Sequence, residues 1–321
     1  MAATVAILGT RYPDFSIEEQ ILGQDATIVS GTGATPDDIV EVAADAAVIV
    51  AGSLPRFTAE VIGRLPNTAA IIRAGIGVDS VDLDAARRAG MWVVNTPDTG
   101  TEAVAQHTLA MTLAATRRLL EADANVREGR WGFGDLRPLT LPGSMTAGVV
   151  GFGRIGRRVA GLLLLVGFER LLAHDPFQEP DGHGVEPVSL DQLLTASDVI
   201  CLHAPPPTGG EALIGPRQFG LMKPGSVLVN AARGSLVDQA ALAQALAAGA
   251  PRVAALDVFT PEPPDLTPFG DVMDRLILSP HMAWYSEESQ RDMRARAATE
   301  ARRILSGLDP LSPVVTPEEE A

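Results

Sequence analysis

The feature of this sequence that most constrains its fold is the alternation of short apolar, β-branched runs with stretches rich in alanine and leucine. The short runs predict buried strands, and the longer stretches between them predict helices. Strands that alternate with helices build βαβ units around a parallel sheet, so the sequence predicts an α/β fold. We expect the strands at residues 4–8, 26–29, 47–50, 70–73 and 91–94, and then at 146–150, 170–173, 199–202, 227–230, 253–257 and 276–279.

These strands fall into two sets, which predicts two domains in a chain of 321 residues. The first set is enough for one small doubly wound domain. A long periodic helix over 101–123 separates the two sets, and another over 286–305 follows the second. Because the two ends of a domain often lie close together, we expect the helix over 286–305 to pack on the first domain.

Composition argues against several classes of protein. Hydrophobic residues make up 46% of the chain, too many for a disordered protein, and no apolar run approaches the ~20 residues of a membrane span. The net charge of −15 argues against partners such as nucleic acid or an anionic membrane. The single cysteine, Cys201, excludes an internal disulfide and argues against a structural zinc site, so we expect no metal and a cytoplasmic location. Residues 1–10 resemble a strand rather than a signal peptide, and 318–320 resemble a frayed acidic tail.

A glycine-rich turn opens the second set of strands. Gly151, Gly153 and Gly156 follow a predicted strand and begin a predicted helix. In that context the first glycine permits a tight turn, the second lets a pyrophosphate approach, and the third lets helix and strand pack closely. Asp175 ends the next strand, where a carboxylate binds the ribose hydroxyls of NAD and repels the 2′-phosphate of NADP. The pattern predicts an NAD site; a purely structural turn and a solvated aspartate are the alternatives.

Three polar residues, Arg233, Glu262 and His281, each lie just beyond a predicted strand of the second set. Open α/β sheets place their sites at the carboxyl ends of the strands, so we expect these side chains to meet. A base, an acid and a cation beside a nicotinamide form a chemically complete set for the reduction of a carbonyl group.

At these residues the sequence resembles a known family. The segments GFGRIG, HDP, NAARGSLVD, ALDVFTPEP and SPHMAWYSEES, together with the earlier RAGIGVDSVDLDAARRAGMWVVNTPD, are similar to motifs of the D-isomer-specific 2-hydroxyacid dehydrogenases. The resemblance covers residues 70–297, and the last segment is most similar to the branch that contains the C-terminal binding proteins. It implies an NAD-dependent enzyme that interconverts a small 2-oxo acid and its D-2-hydroxy acid.

The resemblance also implies roles for single residues. His281 is the expected general acid and base, Glu262 hydrogen-bonds to it, and Arg233 binds the substrate carboxylate and polarises the carbonyl group. The implied substrate contacts are Arg73, Gly75, Ile76, Gly77 and Trp284. The implied cofactor contacts are Val104, Gly151, Gly153, Arg154, Ile155, Gly156, Asp175, Pro205, Ala231, Arg233, Asp257 and His281.

The same resemblance implies the domain architecture. It implies a flavodoxin-like substrate domain of residues 1–98 and 288–321, and a Rossmann-type NAD-binding domain of residues 99–287. It further implies a homodimer formed through the second domain, by its first long helix and the segment around Trp131.

Three positions have two interpretations each, and a fourth has one interpretation without a function. Trp284 stands where many members of the family have a small residue, so it favours an apolar substrate over a phosphorylated one such as 3-phosphoglycerate, or it packs between domains. Arg73 binds substrate or forms a salt bridge. His203 approaches the nicotinamide or is a hydrogen-bonded residue at a strand end, whereas His183 lies in a polar loop.

Two functions are therefore considered. The principal hypothesis is the NAD-dependent dehydrogenase, and the alternative is a protein-binding regulator that senses NAD with weak or no turnover. A regulator of that kind has no need of Arg233, Glu262 and His281 together, and this chain contains all three.

Overall fold

The computed structural model shows two compact units, each with its own sheet. Unit 1 comprises Met1–Gly100 and Ser286–Ala321, and unit 2 comprises Thr101–Tyr285. The position of His183 and the acidic tail at 318–320 lie outside the described residues. The described residues are 2–10, 12–178, 184–207 and 209–317.

Unit 1 is a six-stranded sheet with helices packed on it. Its strands are β1 (Ala3–Leu8), β2 (Ala26–Gly31), β3 (Val48–Ala51), β4 (Ala70–Arg73), β5 (Trp92–Asn95) and β13 (Pro313–Val315). Its helices are α1 (Ser16–Leu22), α2 (Pro36–Ala43), α3 (Ala59–Gly63), α4 (Leu83–Arg88) and α11 (Glu287–Leu305), with a 3-10 turn at Gly23–Asp25. The parallel strands lie in the order β2-β1-β3-β4-β5, which is the flavodoxin-like order, as the family resemblance implies. The short strand β13 joins β5 antiparallel at one edge and was not expected.

Local signals in the sequence set the helix ends of unit 1. The Thr35 hydroxyl accepts a hydrogen bond from the Asp38 N–H at 3.2 Å, and the Asp38 carboxylate accepts one from the Thr35 N–H at 3.1 Å. This reciprocal capping box begins α2. Ser286 caps α11 in a similar way, through the N–H of Ser289. Among the described residues, no helix combines the length and apolar character needed to cross a bilayer.

A buried ion pair joins the two sequence segments of unit 1. Arg294 on α11 donates to the Glu18 carboxylate on α1 at 2.9 and 2.7 Å, and both side chains are buried. The guanidinium also stacks over the Tyr12 ring, 4.6 Å from its centroid. The helix predicted at 286–305 therefore packs in the first unit, as expected.

Unit 2 is a seven-stranded parallel sheet. Its strands are β6 (Thr146–Val150), β7 (Arg170–His174), β8 (Val185–Pro187), β9 (Val199–Leu202), β10 (Val227–Asn230), β11 (Val253–Leu256) and β12 (Leu276–Leu278). Its helices are α5 (Thr101–Thr116), α6 (Leu119–Arg127), α7 (Arg154–Leu165), α8 (Leu190–Ala196), α9 (Pro216–Phe219) and α10 (Gln239–Ala248), and 3-10 turns lie at Gly134–Leu136, Pro142–Ser144, Gly234–Leu236 and Thr267–Arg275. The order β8-β7-β6-β9-β10-β11, with β12 added at the edge, is the doubly wound Rossmann order.

Two apolar cores cover the two faces of this sheet, because alternate strand residues point to opposite sides. On β9, Val199 and Cys201 belong to one buried cluster, and Ile200 and Leu202 belong to the other. Strands buried on both faces explain why these segments are almost continuously apolar in the sequence. The strand order reverses between β6 and β9, which places the expected ligand site at their carboxyl ends.

The prediction of a single helix over 101–123 is wrong, because the helix is interrupted between α5 and α6. Arg118 adopts a left-handed conformation with φ of 52°, and its Nε donates to Glu121 at 2.6 Å. Arg252 then donates to the Ala115 carbonyl at 3.1 Å, so a distant side chain satisfies the end of α5. The hydrophobic period continues across the break, which is why the sequence did not indicate it.

Candidate active site

The glycine-rich turn after β6 has the geometry of a phosphate site. Gly151 has φ of 89°, and a Cβ there would lie 2.5 Å from the Ala204 nitrogen. A Cβ on Gly156 would lie 2.0 Å from the Gly151 carbonyl oxygen, so both positions require glycine. Beside Gly153 nothing lies within 4 Å of the Cβ position. The open space therefore faces the N-terminus of α7, which begins at the exposed Arg154 and attracts anions.

Asp175 follows β7 and is held by backbone donors. One carboxylate oxygen accepts from the Phe152 N–H at 2.7 Å, and the other accepts from the N–H groups of Phe177 at 2.8 Å and Gln178 at 3.0 Å. The carboxylate is thus fixed beside the glycine-rich turn. Its predicted role, to bind a ribose diol and oppose a 2′-phosphate, stays a prediction.

An apolar cluster brings together several of the predicted cofactor contacts. Val104 of α5, Ala231 after β10 and Ala283 are buried, and Ile155 and Trp284 pack against them. Pro205 follows β9 and is exposed. Val104 and Ala283, which are 179 positions apart in the sequence, therefore share one surface in unit 2.

The structure brings His281 and Glu262 together. The Nδ1 atom of His281 lies 2.7 Å from the Glu262 carboxylate, and both side chains are partly exposed. The other Glu262 oxygen accepts from the Phe259 N–H at 3.0 Å, which fixes the carboxylate. Among the described residues, Nε2 of His281 has no hydrogen-bond partner, so one ring atom is anchored and the other is available.

The charge on Glu262 is stabilised by its neighbours. Burial alone would raise the pKa of this carboxyl group, but the hydrogen bonds from His281 and from the Phe259 N–H, with the charges of His281 and Arg233, outweigh it. The pKa of Glu262 therefore lies below its ordinary value, and the group is a carboxylate at neutral pH. The charge of Arg233 thus acts on the same carboxylate that holds His281.

Arg233 lies on a loop that Asn230 braces. The Asn230 side chain, buried at the end of β10, donates to the Arg233 carbonyl at 2.9 Å and accepts from the Ala232 N–H at 3.1 Å. Gly234 packs on the strand-end segment beside it, because a Cβ there would lie 2.0 Å from the Phe259 carbonyl carbon. Asn230 was not among the residues predicted from the sequence, although an asparagine at the end of an apolar strand is a recognisable signal.

Asp257 lies directly after β11, and its carboxylate supports the turn that carries His281. It accepts from the N–H groups of Met282 and Ala283, each at 2.9 Å, and from the Ser279 hydroxyl at 2.6 Å. The side chain is buried. Its predicted contact with the cofactor stays a prediction.

Burial shifts the pKa values of two side chains at the end of β9, His203 and Cys201. Both ring nitrogens of His203 are buried, and no described residue hydrogen-bonds to them, so it is not a hydrogen-bonded strand-end histidine. Burial lowers its pKa to about 4, which keeps the ring neutral. Cys201 is buried, and burial raises its pKa to about 12, against a smaller opposing effect of Thr112. A thiol of this kind is inert.

In unit 1, the predicted substrate loop follows β4. Arg73 donates to the carbonyl groups of Ala51 and Ala74, which folds its guanidinium back over the loop. The Gly75 N–H donates to the Thr96 hydroxyl at 2.8 Å, so it is already used.

The φ of 144° at Gly75 shapes the loop, and the predicted contact of Gly75 with a substrate stays a prediction. In the described part of the chain, the N–H groups of Ile76 and Gly77 donate no hydrogen bond to the protein. Asn95 fixes the carbonyl of Ile76 at 2.8 Å.

The Rossmann sheet has a glycine-rich turn, an aspartate fixed beside that turn and a histidine–glutamate pair. Together these features define a domain of the NAD-binding oxidoreductase class. The family model described as D-isomer specific 2-hydroxyacid dehydrogenase, NAD binding domain, matches residues 109–283. The chain belongs to the D-isomer-specific 2-hydroxyacid dehydrogenase family. Within 2–10, 12–178, 184–207 and 209–317, no group of three His, Cys, Asp or Glu side chains has an arrangement that could hold a metal ion.

Curated relatives and solved structures agree with this family. The D-3-phosphoglycerate dehydrogenase of Archaeoglobus fulgidus is 38% identical over 280 residues, which are 86% of this chain and 53% of that protein. The enzyme of the same name from Methanocaldococcus jannaschii is 36% identical over 90% of this chain and 55% of its own length. The structure of D-lactate dehydrogenase from Aquifex aeolicus, complexed with NAD and lactic acid, has a TM-score of 0.87 and 27% identity, covering 98% of this chain and all of that one.

The chain spans about half the length of the curated relatives it matches. The family resemblance found in the sequence is confirmed, and so is the NAD-binding domain. The branch of the C-terminal binding proteins stays a prediction.

Proposed function

We propose that the protein is an NAD-dependent oxidoreductase that interconverts a small 2-oxo acid and its D-2-hydroxy acid. The observation that carries the proposal is the His281–Glu262 pair, in which the carboxylate holds Nδ1 at 2.7 Å and leaves Nε2 available. A ring held in this way is suited to proton transfer, because its orientation is fixed before the substrate binds. Membership of the family supports the same reaction.

The described residues fit NAD as the cofactor. The open space beside Gly153 and the N-terminus of α7 can receive a pyrophosphate, and the Asp175 carboxylate can receive the ribose hydroxyls. The apolar cluster around Val104 and Ala231 offers a surface for the nicotinamide. When bound, NADH supplies the hydride that the carbonyl carbon accepts.

The protein supplies the proton and the charges. His281 donates a proton from Nε2 to the carbonyl oxygen during reduction and takes it back from the hydroxyl group during oxidation. The Glu262 carboxylate stabilises the charged ring. Arg233 binds the substrate carboxylate and polarises the carbonyl group through charge-assisted hydrogen bonds.

We propose substrate contacts in each unit. In unit 1 they are the Arg73 guanidinium and the N–H groups of Ile76 and Gly77. In unit 2, the Trp284 Nε1–H donates to the His281 carbonyl at 3.1 Å, so the indole offers its ring faces rather than a polar group. This favours a substrate with a small or apolar substituent. D-3-phosphoglycerate dehydrogenases among the relatives make a phosphorylated acid the main competitor.

We also propose that the protein is a cytoplasmic homodimer. Helix α6 has no buried residue, and a run of large apolar side chains is exposed along α6 and the segment after it. These side chains are Leu119, Leu120, Val126, Trp131, Phe133 and Leu141. A second copy would cover them, and the lone buried Cys201 suits a reducing compartment. Sedimentation equilibrium should give twice the monomer mass; a monomer at micromolar concentration would contradict the dimer.

The test of the proposed activity is a panel of 2-oxo acids, each assayed by the loss of NADH absorbance. The panel contains glyoxylate, pyruvate, hydroxypyruvate, the 2-oxo form of 3-phosphoglycerate and a branched apolar acid. We expect turnover with at least one acid, a D-configured product and the highest kcat/KM for an unphosphorylated member. NADH binding without turnover on any acid would contradict the enzyme and favour the NAD-sensing regulator. Best turnover of the phosphorylated acid would instead contradict the role given to Trp284.

A further inference from the structure

A chain of side-chain hydrogen bonds joins helix α5 to the turn that carries His281. The His107 Nε2 atom on α5 lies 2.9 Å from the Ser279 hydroxyl, which lies 2.6 Å from the Asp257 carboxylate. Asp257 follows β11 and Ser279 follows β12, so the pairing of these neighbouring strands sets the two side chains side by side. His107 is separated from Ser279 by 172 residues and takes no part in the mechanism derived above.

The direction of the protons in this chain follows from donor capacity. A carboxylate only accepts hydrogen bonds, so the Ser279 hydroxyl gives its one proton to Asp257. The Ser279 oxygen then has only lone pairs left for His107, whose Nε2 therefore carries a proton. The sequence of donors is His107 to Ser279 to Asp257. The position of His107 is thus fixed by its bond to Ser279, and that of Ser279 by its bond to Asp257.

Asp257 passes this constraint to the catalytic turn. Its two carboxylate oxygens accept the N–H groups of Met282 and Ala283, and its backbone carbonyl accepts the His281 N–H at 2.7 Å. His281 has φ of 52°, a left-handed conformation that a residue with a Cβ adopts only where its surroundings impose it. The bonds to Asp257 are part of those surroundings, so the carboxylate of Asp257 supports the turn from which the imidazole of His281 reaches Glu262.

Helix α5 supports the same turn by packing. Val104 lies one helical turn before His107 and belongs to the same apolar cluster as Ala283. The same face of α5 therefore packs on the turn through Val104 and hydrogen-bonds to Ser279 through His107.

We propose that His107 and Ser279 are positioning residues, which hold the imidazole of His281 in its working orientation through Asp257. The inference rests on the proposed dehydrogenase activity, which it deepens. Neither residue touches a reacting atom. Both act on the orientation of His281, which donates the proton in the proposed mechanism. An alternative role is general: a buried hydrogen-bonded chain that adds to the stability of unit 2 without directing His281.

Three variants and one control separate these roles. Ser279→Ala removes the central hydroxyl, His107→Leu removes the donor, and His107→Gln keeps an N–H donor near the Nε2 position. Thr112→Val is the matched control, because Thr112 is a buried hydroxyl on the same helix that contacts Cys201 instead of the turn.

In steady-state reduction we expect kcat to fall about tenfold in Ser279→Ala and His107→Leu, in line with the loss of one buried hydrogen bond. The KM for the 2-oxo acid should change less than about threefold, since the carboxylate contacts remain. His107→Gln should recover kcat to within about threefold of the wild type. Unchanged kcat in both Ser279→Ala and His107→Leu, or no rescue by His107→Gln, would overturn the proposal.

Hydrogen exchange provides a readout that does not depend on turnover. In Ser279→Ala and His107→Leu, the N–H groups of Met282 and Ala283 should exchange at least about fivefold faster, whereas β10 (Val227–Asn230) should exchange as in the wild type. Faster exchange throughout unit 2, or none at the turn, would overturn the positioning role. If no 2-oxo acid turned over, the proposed function would fail while this exchange result still decided whether the chain of bonds holds the turn.

Discussion

Each unit contains a pair formed by a carboxylate and a cationic side chain. The two pairs differ in whether a hydrogen-bonding atom stays accessible to a ligand. In unit 1, Glu18 and Arg294 are 1% and 5% exposed, and Nη2 of the guanidinium also donates to the Asp14 carbonyl at 2.7 Å. In unit 2, Glu262 and His281 have side chains that are 36% and 39% exposed. There the carboxylate holds one ring nitrogen and leaves the other without a described partner.

This difference separates a structural pair from a chemical one. A buried pair that no ligand can reach can only hold two segments together, and removal of one partner leaves an unpaired charge in the core. A partly exposed pair contributes little to stability but keeps a group oriented toward a ligand. The two pairs should therefore respond in opposite ways to the same kind of substitution.

The largest expected effect is on turnover, in His281→Gln. Loss of the general acid should lower kcat for 2-oxo acid reduction by about 10²-fold or more. The affinity for NADH, measured by fluorescence titration, and the melting temperature should stay close to those of the wild type. Near-normal turnover would remove His281 from the mechanism, and a lost NADH affinity would place it in cofactor binding instead.

Arg294→Met should reverse this pattern. It leaves the Glu18 carboxylate buried and unpaired, so the free energy of unfolding measured with urea should fall by about 3 kcal/mol. The matched control is Arg296→Met on the same helix, whose exposed pair with Asp292 should change stability by less than about 0.5 kcal/mol. Equal effects of the two substitutions would contradict the distinction between the pairs.

Glu262→Gln should produce an intermediate loss of activity. The imidazolium loses a charge-assisted hydrogen bond, so kcat for reduction should fall about 10- to 100-fold at neutral pH. Rate measurements on the acid that the panel identifies would check this value. An unchanged kcat would show that the carboxylate is dispensable for proton transfer.

The same variant tests the pH dependence of stability. Because the folded pKa of Glu262 lies below its ordinary value of 4.5, its contribution is present above that pH and is lost as the pH falls through the folded pKa. The difference in melting temperature between wild type and Glu262→Gln should be full at pH 6 and shrink below about pH 4.5. A difference that grows toward acid would contradict the sign of the shift.

The smallest expected effect concerns the choice of cofactor. Asp175→Asn keeps an acceptor for the Phe152 N–H but removes the charge that opposes a 2′-phosphate. The ratio of kcat/KM for NADH over NADPH should fall by about tenfold, a change of ~1.4 kcal/mol. Asp191→Ala, on the exposed surface of α8, is the control and should not change the ratio. A wild type that already prefers NADPH would contradict the role of Asp175.

Much of the fold was predictable, because buried parallel strands require apolar runs and a phosphate turn requires glycine at fixed places. The eleven strands expected from the sequence all have counterparts, and Gly151 and Gly156 have the close contacts that exclude a side chain. The meeting of Glu262 with His281 also follows from their places after neighbouring strand ends.

The remaining features depend on contacts between distant residues. Strand β8 reads Val-Glu-Pro, with two exposed residues, so its sequence has no strand signal. The break before α6 depends on Arg252, and the use of the Gly75 N–H depends on Thr96. No local pattern indicates that His107 will reach Ser279.

The central claim is that Nε2 of His281 delivers the proton to the carbonyl oxygen of a 2-oxo acid. The most direct measurement is a crystal structure of the protein with NADH and oxamate, an unreactive analogue of a 2-oxo acid. We expect Nε2 within about 3.2 Å of the amide carbonyl oxygen of oxamate, with Nδ1 still bound to Glu262. A structure in which NADH and oxamate are bound and Nε2 points to bulk solvent would contradict the account.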